Sequence, residues 1–333
     1  MPDTILRLAL PSPLRRLFDY LAPQGVPHAA LQPGVRLRVP FGRREVVGVL
    51  VEVAQHSEVP ADKLKPALQL LDRTPPLPAP LFKLCLWTAQ YYQHSLGDTL
   101  NWALPVLLRQ GEPAEVRQER YWHVSADASP DDPRLARAPR QREALRTLAQ
   151  HHHGVPHGLL SKLQLNKDSL DLLLEKGLVR VEVRRSTPLV RHGGWLAQPE
   201  LPLNAEQRAA FNAVQSGMQG FGAFLLYGVT GSGKTSVFLR LIDRVRLDGR
   251  GVIVMVPEIS LTPQTIAIFR ARYGSCVAVF HSGLTLAERL DEWKRVRNGD
   301  ASIVVGTRSA VFAPFRDIGL IIMDEEQEST YKS

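Results

Sequence analysis

The sequence has little cysteine and no long apolar run. Only Cys85 and Cys276 occur in 333 residues, far apart and outside any Cys-x-x-Cys pattern, which excludes a disulfide scaffold and a cysteine-based zinc site made by this chain alone. No stretch approaches the roughly 20 apolar residues of a membrane helix. The first apolar run is interrupted by Arg7 and closed by Pro11, unlike a secretory signal. We therefore expect a soluble, cytoplasmic protein with no membrane partner.

The sequence does contain enough apolar material for more than one core. Hydrophobic residues make up 44% of the chain and charged residues 22%, which indicates a globular protein, and its length allows two or three domains. The net charge of +8 is compatible with an anionic partner such as nucleic acid, although many proteins with this balance bind none.

Proline is concentrated at the start of the chain, where 13 of the 25 prolines lie within the first 80 residues. Because helix interiors tolerate proline badly, short strands and turns are predicted there. Residues 35–39 alternate apolar and basic side chains, residues 46–53 are almost continuously apolar, and a Gly/Arg turn separates them. Helical spacing follows over residues 80–94. The pattern favours a small β-rich domain with a helical tail over residues 1–112.

The middle of the chain predicts a winged helix between two linkers, residues 113–138 and 186–202. Pro139 can open a first helix, Pro156 a short second one through residue 163, and Asn166 can cap a third that ends at Gly177. An alternating strand follows at 179–183. Residues 139–185 carry nine basic and five acidic side chains, so this domain either contacts DNA or is a packing module with a solvated charged face.

From residue 203 to residue 333, short apolar strands alternate with helical segments, as in a parallel α/β sheet. The strand predicted at 221–227 leads into a complete Gly-x-x-x-x-Gly-Lys-Thr phosphate loop, and an amphipathic helix follows. Glycines in such a loop let backbone N–H groups surround phosphate oxygens at a helix N-terminus; a chance match would lack the flanking strand and helix. The candidate nucleotide-binding residues are Gly228, Val229, Thr230, Gly231, Ser232, Gly233, Lys234 and Thr235.

Four side chains would supply the chemistry of this site. Lys234 should reach the β- and γ-phosphates, and the Thr235 hydroxyl should bind Mg²⁺. The strand predicted at 320–323 runs into three acids, of which Asp324 would hold Mg²⁺ and Glu325 would polarise the attacking water. Three acids can also be a solvated strand exit, but beside an intact phosphate loop they predict NTP hydrolysis or an NTP-driven switch.

Further motifs narrow the class of protein. Gln207 lies 27 residues before Lys234, where helicases carry a glutamine that reads adenine. Loops at 257–264 and 306–310 could offer amides, hydroxyls and Arg308 to a sugar-phosphate strand, although each alone is as compatible with a loop-stabilising turn. In this order the motifs resemble motifs I, Ia, Ib and II of a superfamily 2 helicase.

The resemblance extends to one family over essentially the whole chain. The segments that carry it are FDYL at 18–21, VPFG at 39–42, YY at 91–92, ALPVLLRQG at 103–111, GVTGSGKT at 228–235, VPEISLTPQT at 256–265, HSGL at 281–284, GTRSAVFAPF at 306–315 and DEEQ at 324–327. They are similar to the PriA family of replication-restart helicases, also called primosomal protein N′. The resemblance implies a multidomain α/β protein: a small β-rich domain that binds DNA 3′ ends, a winged-helix domain, and an incomplete RecA-like parallel α/β helicase lobe that stops just after the Walker B motif.

The same resemblance implies an ATP-dependent 3′-to-5′ DNA helicase that recognises stalled or abandoned replication forks and initiates primosome assembly. Its partners would be forked DNA, single-stranded DNA with a free 3′ end, single-stranded-DNA-binding protein and other primosome proteins. An aromatic side chain can stack on a terminal base and a carboxylate can accept a hydrogen bond from a 3′-OH, although without the resemblance the two aromatics could be core and the acid a turn residue. The implied 3′-end pocket comprises Phe18, Asp19, Tyr20, Gly42 and Lys65.

The sequence also departs from the family. Gln327 stands where members usually carry His; glutamine can hydrogen-bond near the γ-phosphate but cannot take a proton. The second lobe, its arginine finger and the cysteine-rich zinc module lie outside these 333 residues, so ATP and Mg²⁺ are the expected cofactors here and zinc only in the full-length protein. We expect binding of DNA and ATP but no unwinding. An ATP-independent DNA-structure-binding module is the alternative, which the intact phosphate loop and acidic motif disfavour; a P-loop kinase or GTPase would leave Gln207 and residues 306–310 unexplained.

Overall fold

The computed structural model describes residues 4–115, 118–151, 154–185, 202–229 and 231–331. The chain divides into two compact units. One joins Met1–Ala114 to Val190–Ser333, and the other is Glu115–Leu189. Of the linker expected at 186–202, residues 186–201 lie outside the described residues.

The first unit begins with five strands: β1 (Ile5–Ala9), β2 (Phe18–Leu21), β3 (Arg36–Phe41), β4 (Arg44–Ala54) and β5 (Gln69–Leu70). They form an antiparallel sheet in the order β2-β1-β4-β3-β5, so β2 lies at an edge. The hairpin expected between residues 35–39 and 46–53 is present as β3 and β4. Gly42, the first of its two turn residues, has φ +63°, which glycine adopts without strain in a type II′ turn.

Three helices follow: α1 (Ala79–Tyr91), α2 (Leu96–Ala103) and α3 (Val106–Arg109). Ser95 caps α2 by accepting a hydrogen bond from the Asp98 N–H at 3.3 Å. Arg36 connects the sheet to this helical part. Its fully buried guanidinium pairs with Asp72 at 2.6 Å and donates to the carbonyl oxygens of Leu108 and Glu112.

The C-terminal part of the same unit contains the strands β9 (Gly251–Met255), β10 (Val277–Phe280), β11 (Ile303–Gly306) and β12 (Ile318–Met323). They form a sheet in the order β10-β11-β9-β12, with every pairing parallel, which confirms the α/β lobe expected from the sequence. Hydrophobic residues fill β9, β10 and β11, and all three strands are buried, as expected for a parallel sheet covered on both faces. The helices are α6 (Ala205–Ser216), α7 (Lys234–Leu247), α8 (Pro263–Tyr273) and α9 (Leu286–Asn298).

The strand expected at residues 221–227 is not formed, and this prediction is wrong. These residues have no strand pairing; Phe221 and Tyr227 are almost fully exposed, whereas Phe224 lies against Gly217 at the end of α6. Among the described residues, β12 has β9 as its one neighbour, and Ile321 on β12 is half exposed. An apolar run signals strand propensity, but a strand also needs a neighbour's backbone, which local sequence does not report.

The second unit contains β6 (Gln118–Val124), α4 (Pro139–Ala149), β7 (Val155–Pro156), α5 (Lys167–Glu175) and β8 (Val179–Arg185), with the strands in the order β7-β6-β8. Two features differ from expectation. β6 lies inside the segment predicted as a linker, because it pairs with the distant β8. The second helix is a single 3₁₀ turn, His157–Leu159, because Val155–Pro156 is held as a strand against β6.

The sheet domain and the parallel lobe share a hydrophobic core within the first unit. One cluster of buried side chains contains Cys85, Leu100 and Leu108 from the N-terminal part together with Trp293 and Val296 on α9. Helix α3 packs on α9, and the Arg297 guanidinium donates to the carbonyl oxygens of Pro76 at 2.9 Å and Pro75 at 3.3 Å. These contacts join the two parts of the unit through α9.

Candidate DNA-end and nucleotide sites

Phe18 lies at the start of β2, on the open edge of the antiparallel sheet. Its ring is half-buried and meets the Phe41 ring edge-on, with centroids 5.4 Å apart, and the Arg16 guanidinium lies 5.1 Å from its centroid. Phe41 ends β3 beside the Gly42 turn. A base can stack on an aromatic ring, and the guanidinium beside this ring can attract an anion.

Asp19 lies on the opposite face of β2, because side chains alternate along a strand. It is opposite Arg7 on β1, which in turn is opposite Glu52 on β4. The Arg7 Nε lies 3.8 Å from Asp19 Oδ1 and its Nη1 lies 3.1 Å from Glu52 Oε2. The Ser57 hydroxyl donates to Asp19 Oδ2 at 2.5 Å. Asp19 therefore has a fixed carboxylate. Its Oδ2 is held by the short hydrogen bond from Ser57, whereas its Oδ1 lies 3.8 Å from the Arg7 Nε.

The structure places the other residues of the expected 3′-end pocket in different roles. Tyr20 is buried in the core; its hydroxyl donates to the Pro40 carbonyl at 2.9 Å, and burial raises its pKa. Gly42 has open space where a Cβ would stand. Lys65 is exposed and its carbonyl accepts from the Leu21 N–H at 3.0 Å, so its backbone lies beside β2.

Sequence reasoning missed four residues around this edge: Arg7, Arg16, Phe41 and Ser57. Phe41 stood in a quoted motif, but nothing in the sequence paired it with Phe18. Arg7 and Ser57 reach Asp19 only through strand pairing and a loop 38 positions away in the chain. A period-two pattern on β1 could have indicated that Arg7 shares a face with its cross-strand neighbours.

The phosphate loop has the backbone that its glycines predict. Gly231 and Gly233 both have φ +82°, and Gly233 is the N-cap of α7. The positive φ at Gly233 favours glycine, and a Cβ there would displace the end of the Gln207 side chain. The Lys234 ammonium donates to the carbonyls of Gly228 at 2.7 Å and Val229 at 3.1 Å. Thr235 is exposed in the first turn of α7, and Thr230 lies outside the described residues.

Gln207 connects α6 to this loop. It forms a capping box with Asn204, and its Nε2 donates to the Ser232 carbonyl at 3.0 Å. The sequence placed Gln207 near the nucleotide, and the structure places it against the phosphate loop itself.

Asp324 and Glu325 follow β12 at the carboxyl end of the sheet. The Asp324 N–H donates to the Met255 carbonyl at 2.9 Å, and Glu325 has φ +50° and accepts from Ser260 Oγ at 3.0 Å. The Tyr331 hydroxyl donates to the Asp324 carbonyl at 3.0 Å. Burial, together with the neighbouring carboxylates, raises the pKa of Tyr331 to about 12, so it stays protonated.

The phosphate loop and the acidic residues Asp324 and Glu325 lie beside the same sheet but do not contact each other through hydrogen bonds among the described residues. Helix α7 packs on β9 and β12, which places Lys234 and Asp324 on neighbouring elements. Gln327 is exposed in the turn after β12, and Arg308 is exposed at the start of a 3₁₀ turn after β11.

Both parts of the first unit match domain families of known proteins. The 3′DNA-binding domain (3′BD) of PriA matches residues 7–105, and the DEAD/DEAH box helicase domain matches residues 204–333. Replication restart protein PriA of Haemophilus influenzae is 39% identical over 98% of this chain and 45% of its own length. The protein of the same name from Bacillus subtilis is 32% identical over 95% of this chain and 48% of its own, and that of Chlamydia trachomatis 30% over 96% and 43%.

The chain is similar to replication restart protein PriA over almost its whole length. It spans about half the length of the curated relatives it matches. The two domain matches confirm the expected β-rich DNA-binding domain and helicase lobe, while the individual site residues stay predictions. Within the described residues, no helix is both long and apolar enough to cross a bilayer, and no group of three or more His, Cys, Asp or Glu side chains could hold a metal ion.

Proposed function

We propose that this chain forms the DNA-binding and nucleotide-binding part of an ATP-dependent, 3′-to-5′ DNA helicase of superfamily 2 that recognises stalled replication forks and initiates primosome assembly. The observation that carries the proposal is the shared core of a 3′DNA-binding domain and a helicase lobe. Forked DNA and single-stranded DNA with a free 3′ end are the proposed ligands. Single-stranded-DNA-binding protein and other primosome proteins are the proposed partners, in the cytoplasm, and the domain limits 1–112, 139–185 and 203–333 remain part of the proposal.

The described residues fit a magnesium-bound nucleotide. Gly231 and Gly233 open backbone N–H groups toward a bound anion, and Lys234 now donates to two loop carbonyls that phosphate oxygens would replace. Thr235 and Asp324 would hold Mg²⁺, which neutralises phosphate charge when bound. Glu325 would orient water, and Ser260 fixes its carboxylate. Gln207 would sense the nucleotide through its bond to the loop.

For the DNA end, we propose that the terminal nucleotide straddles the edge of β2. Phe18 supplies the stacking face, and Asp19 on the other face accepts a hydrogen bond from the 3′-OH through Oδ1. Ser57 holds the second carboxylate oxygen, and Lys65 would approach a phosphate from the neighbouring segment. Tyr20 acts by positioning β2 rather than by touching DNA.

One observation favours the alternative, an ATP-independent DNA-structure-binding module. Residues 221–229, which lead into the phosphate loop, have no strand pairing in this chain. Binding of a fluorescent ATP analogue with Mg²⁺ separates the two candidates. Saturable binding supports the helicase proposal, whereas DNA binding without any nucleotide binding favours the module.

The test of the DNA-end assignment is Asp19→Ala. We expect wild type to prefer a fork with a 3′-OH leading strand over the same fork with a 3′-phosphate, and the variant to lose that preference, because the acceptor for the hydroxyl is gone. The measurement is fluorescence anisotropy with both forks, with and without ATP.

The matched control is Glu52→Ala, which removes the other carboxylate beside Arg7 and should keep the preference. Unchanged discrimination by Asp19→Ala would remove Asp19 from the pocket. If the wild type shows no preference and its affinity only falls as salt rises, the binding comes from a basic surface that contacts phosphates without recognising the 3′ end.

A further inference from the structure

Two arginines from different parts of the first unit lie on α3 and α9, which pack on each other, and the charge of Arg289 acts on Arg109. Arg109 ends α3, and Arg289 lies in the first turn of α9. Each is fixed by one backbone carbonyl: Arg109 Nε donates to Leu104 at 2.8 Å, and Arg289 Nη2 donates to His281 at 3.2 Å. Both side chains are partly exposed, so a ligand can reach them.

Among the described residues neither guanidinium has an ion pair, and burial together with the Arg289 charge lowers the pKa of Arg109. Two acids that flank Arg289 on α9 have other partners: Glu288 accepts from Thr285 N at 2.9 Å and Oγ1 at 2.8 Å, and Glu292 pairs with Arg295 at 2.7 Å. Like charges near each other repel. An anion bound by both guanidinium groups would offset that repulsion.

His281 adds a neutral donor to the same place. Burial and the charges of Arg289 and Arg270 lower its pKa, against the opposing effect of Glu288. Its Nδ1 accepts from the Gly283 N–H at 3.0 Å, which assigns the ring proton to Nε2. That proton is then available to an acceptor.

The junction lies at the carboxyl edge of the parallel sheet, where ligands bind in α/β folds. Phe280 and Gly306 are paired at the ends of β10 and β11, and the Thr307 N–H donates to the Phe280 carbonyl at 3.2 Å. The loop with His281 therefore begins beside the turn with Arg308, the residue that the sequence associates with DNA.

We propose that Arg109 and Arg289 together bind one phosphodiester of a DNA strand that runs along the carboxyl edge of the lobe's sheet. The inference rests on the proposed function and deepens it, by assigning part of the DNA track to a residue of the N-terminal domain. Guanidinium groups suit phosphate oxygens because they offer paired N–H donors. The site joins the segments ALPVLLRQG and HSGL, to which the sequence motifs gave no separate role.

The test measures how DNA affinity depends on salt, using the 333-residue chain and a 3′-phosphorylated oligothymidine that disfavours 3′-end capture. Losing one phosphate contact reduces the slope of log K against log salt by about 0.7 for a single strand. We expect Arg109→Gln and Arg289→Gln each to reduce it by about that amount. The double variant should lose no more, because the phosphate is held only when both side chains bind it, so either substitution already releases it.

Arg297→Gln is the matched control. Arg297 lies two turns further along α9 and donates to Pro75 and Pro76, so its loss weakens the same packing without removing the proposed contact, and the slope should stay at the wild-type value. Arg109→Lys and Arg289→Lys keep the charge and should keep the slope, but they should weaken the affinity because lysine lacks the paired N–H donors. That loss of affinity tests the site if a glutamine variant fails to fold.

An unchanged slope in both glutamine variants would overturn the shared site, and so would a double variant that loses twice as much as either single one. A wild type that does not bind the oligonucleotide would count against the proposed function itself. Wild-type binding with unaffected variants would overturn this inference alone.

Discussion

At the scale of single residues, Arg36 and Asp72 form a fully buried ion pair in the N-terminal domain. Both side chains are fully buried, and Asp72 accepts from the Arg36 guanidinium at 2.6 and 2.9 Å and from the Arg36 N–H at 2.9 Å. The same guanidinium satisfies two carbonyls near the end of α3. Removing one partner leaves the other as an uncompensated charge in a medium of low dielectric constant.

Asp72→Ala should therefore lower the free energy of unfolding by about 3–5 kcal/mol. Glu52→Ala, which breaks the exposed pair with Arg7, should lower it by no more than about 1 kcal/mol. Urea denaturation followed by tryptophan fluorescence measures both. Similar losses in the two variants would contradict the importance of burial here.

Single residues also show where sequence reasoning stops. Asp19 and Gln207 were identified from motifs, and the structure gives both of them fixed partners. The partners themselves, Ser57 and the Ser232 carbonyl, could not be identified, because hydrogen bonds across a loop or between two helices leave no periodic signal. Tyr20 shows a different limit. It belongs to the same motif as Asp19, but its side chain packs in the core.

At the scale of elements, helix α7 has a glycine with positive φ at each end. Gly233 begins it with φ +82° and Gly249 follows it with φ +72°. A Cβ at Gly249 would meet nothing within 4 Å, whereas one at Gly233 would overlap Gln207. The two positions share the same backbone requirement and differ only in that contact.

Gly249→Ala should cost roughly 1–2 kcal/mol of stability from left-handed backbone alone. Gly233→Ala should cost about 1 kcal/mol more, because the Gln207 amide must move and give up its hydrogen bond to the Ser232 carbonyl, and it should abolish binding of an ATP analogue. In a Gln207→Ala background the additional cost of Gly233→Ala should shrink, because the overlapping side chain is absent. Thermal unfolding of the four variants measures this coupling, and equal costs in both backgrounds would exclude the contact as the cause.

Most elements could be predicted, and the exceptions have one cause. Continuous apolar runs gave β9, β10, β11 and β12, and proline and capping residues gave α4 and α5. The strand expected at 221–227 is absent and β6 was missed, because strand formation depends on a neighbour. The apolar run at 221–227 lacks one, whereas the polar β6 segment finds one in β8.

At the scale of the whole molecule, the described residues have separate cores in the two units. Leu145 and Leu170 belong to the core of the second unit. Leu100 of the N-terminal domain and Ile253 of the lobe belong to the same cluster in the first unit. A shared core predicts that the N-terminal domain and the lobe unfold together.

Leu100→Ala and Ile253→Ala should therefore shift the same calorimetric transition, and Leu145→Ala should shift a different one. Each substitution should cost about 2–5 kcal/mol, the usual range for a truncated buried aliphatic side chain. Differential scanning calorimetry separates the transitions. If Leu100→Ala and Ile253→Ala shifted different transitions, the two parts would be independent.

The packing of helix α9 has a consequence for a DNA strand that is bound at both proposed sites. It is packed into the core that the N-terminal sheet and the lobe have in common, and closely packed interiors do not slide. The edge of β2 and the carboxyl edge of the parallel sheet are therefore held at a fixed distance from each other. A strand whose end is held at the first edge and whose backbone is held at the second would span a constant number of nucleotides.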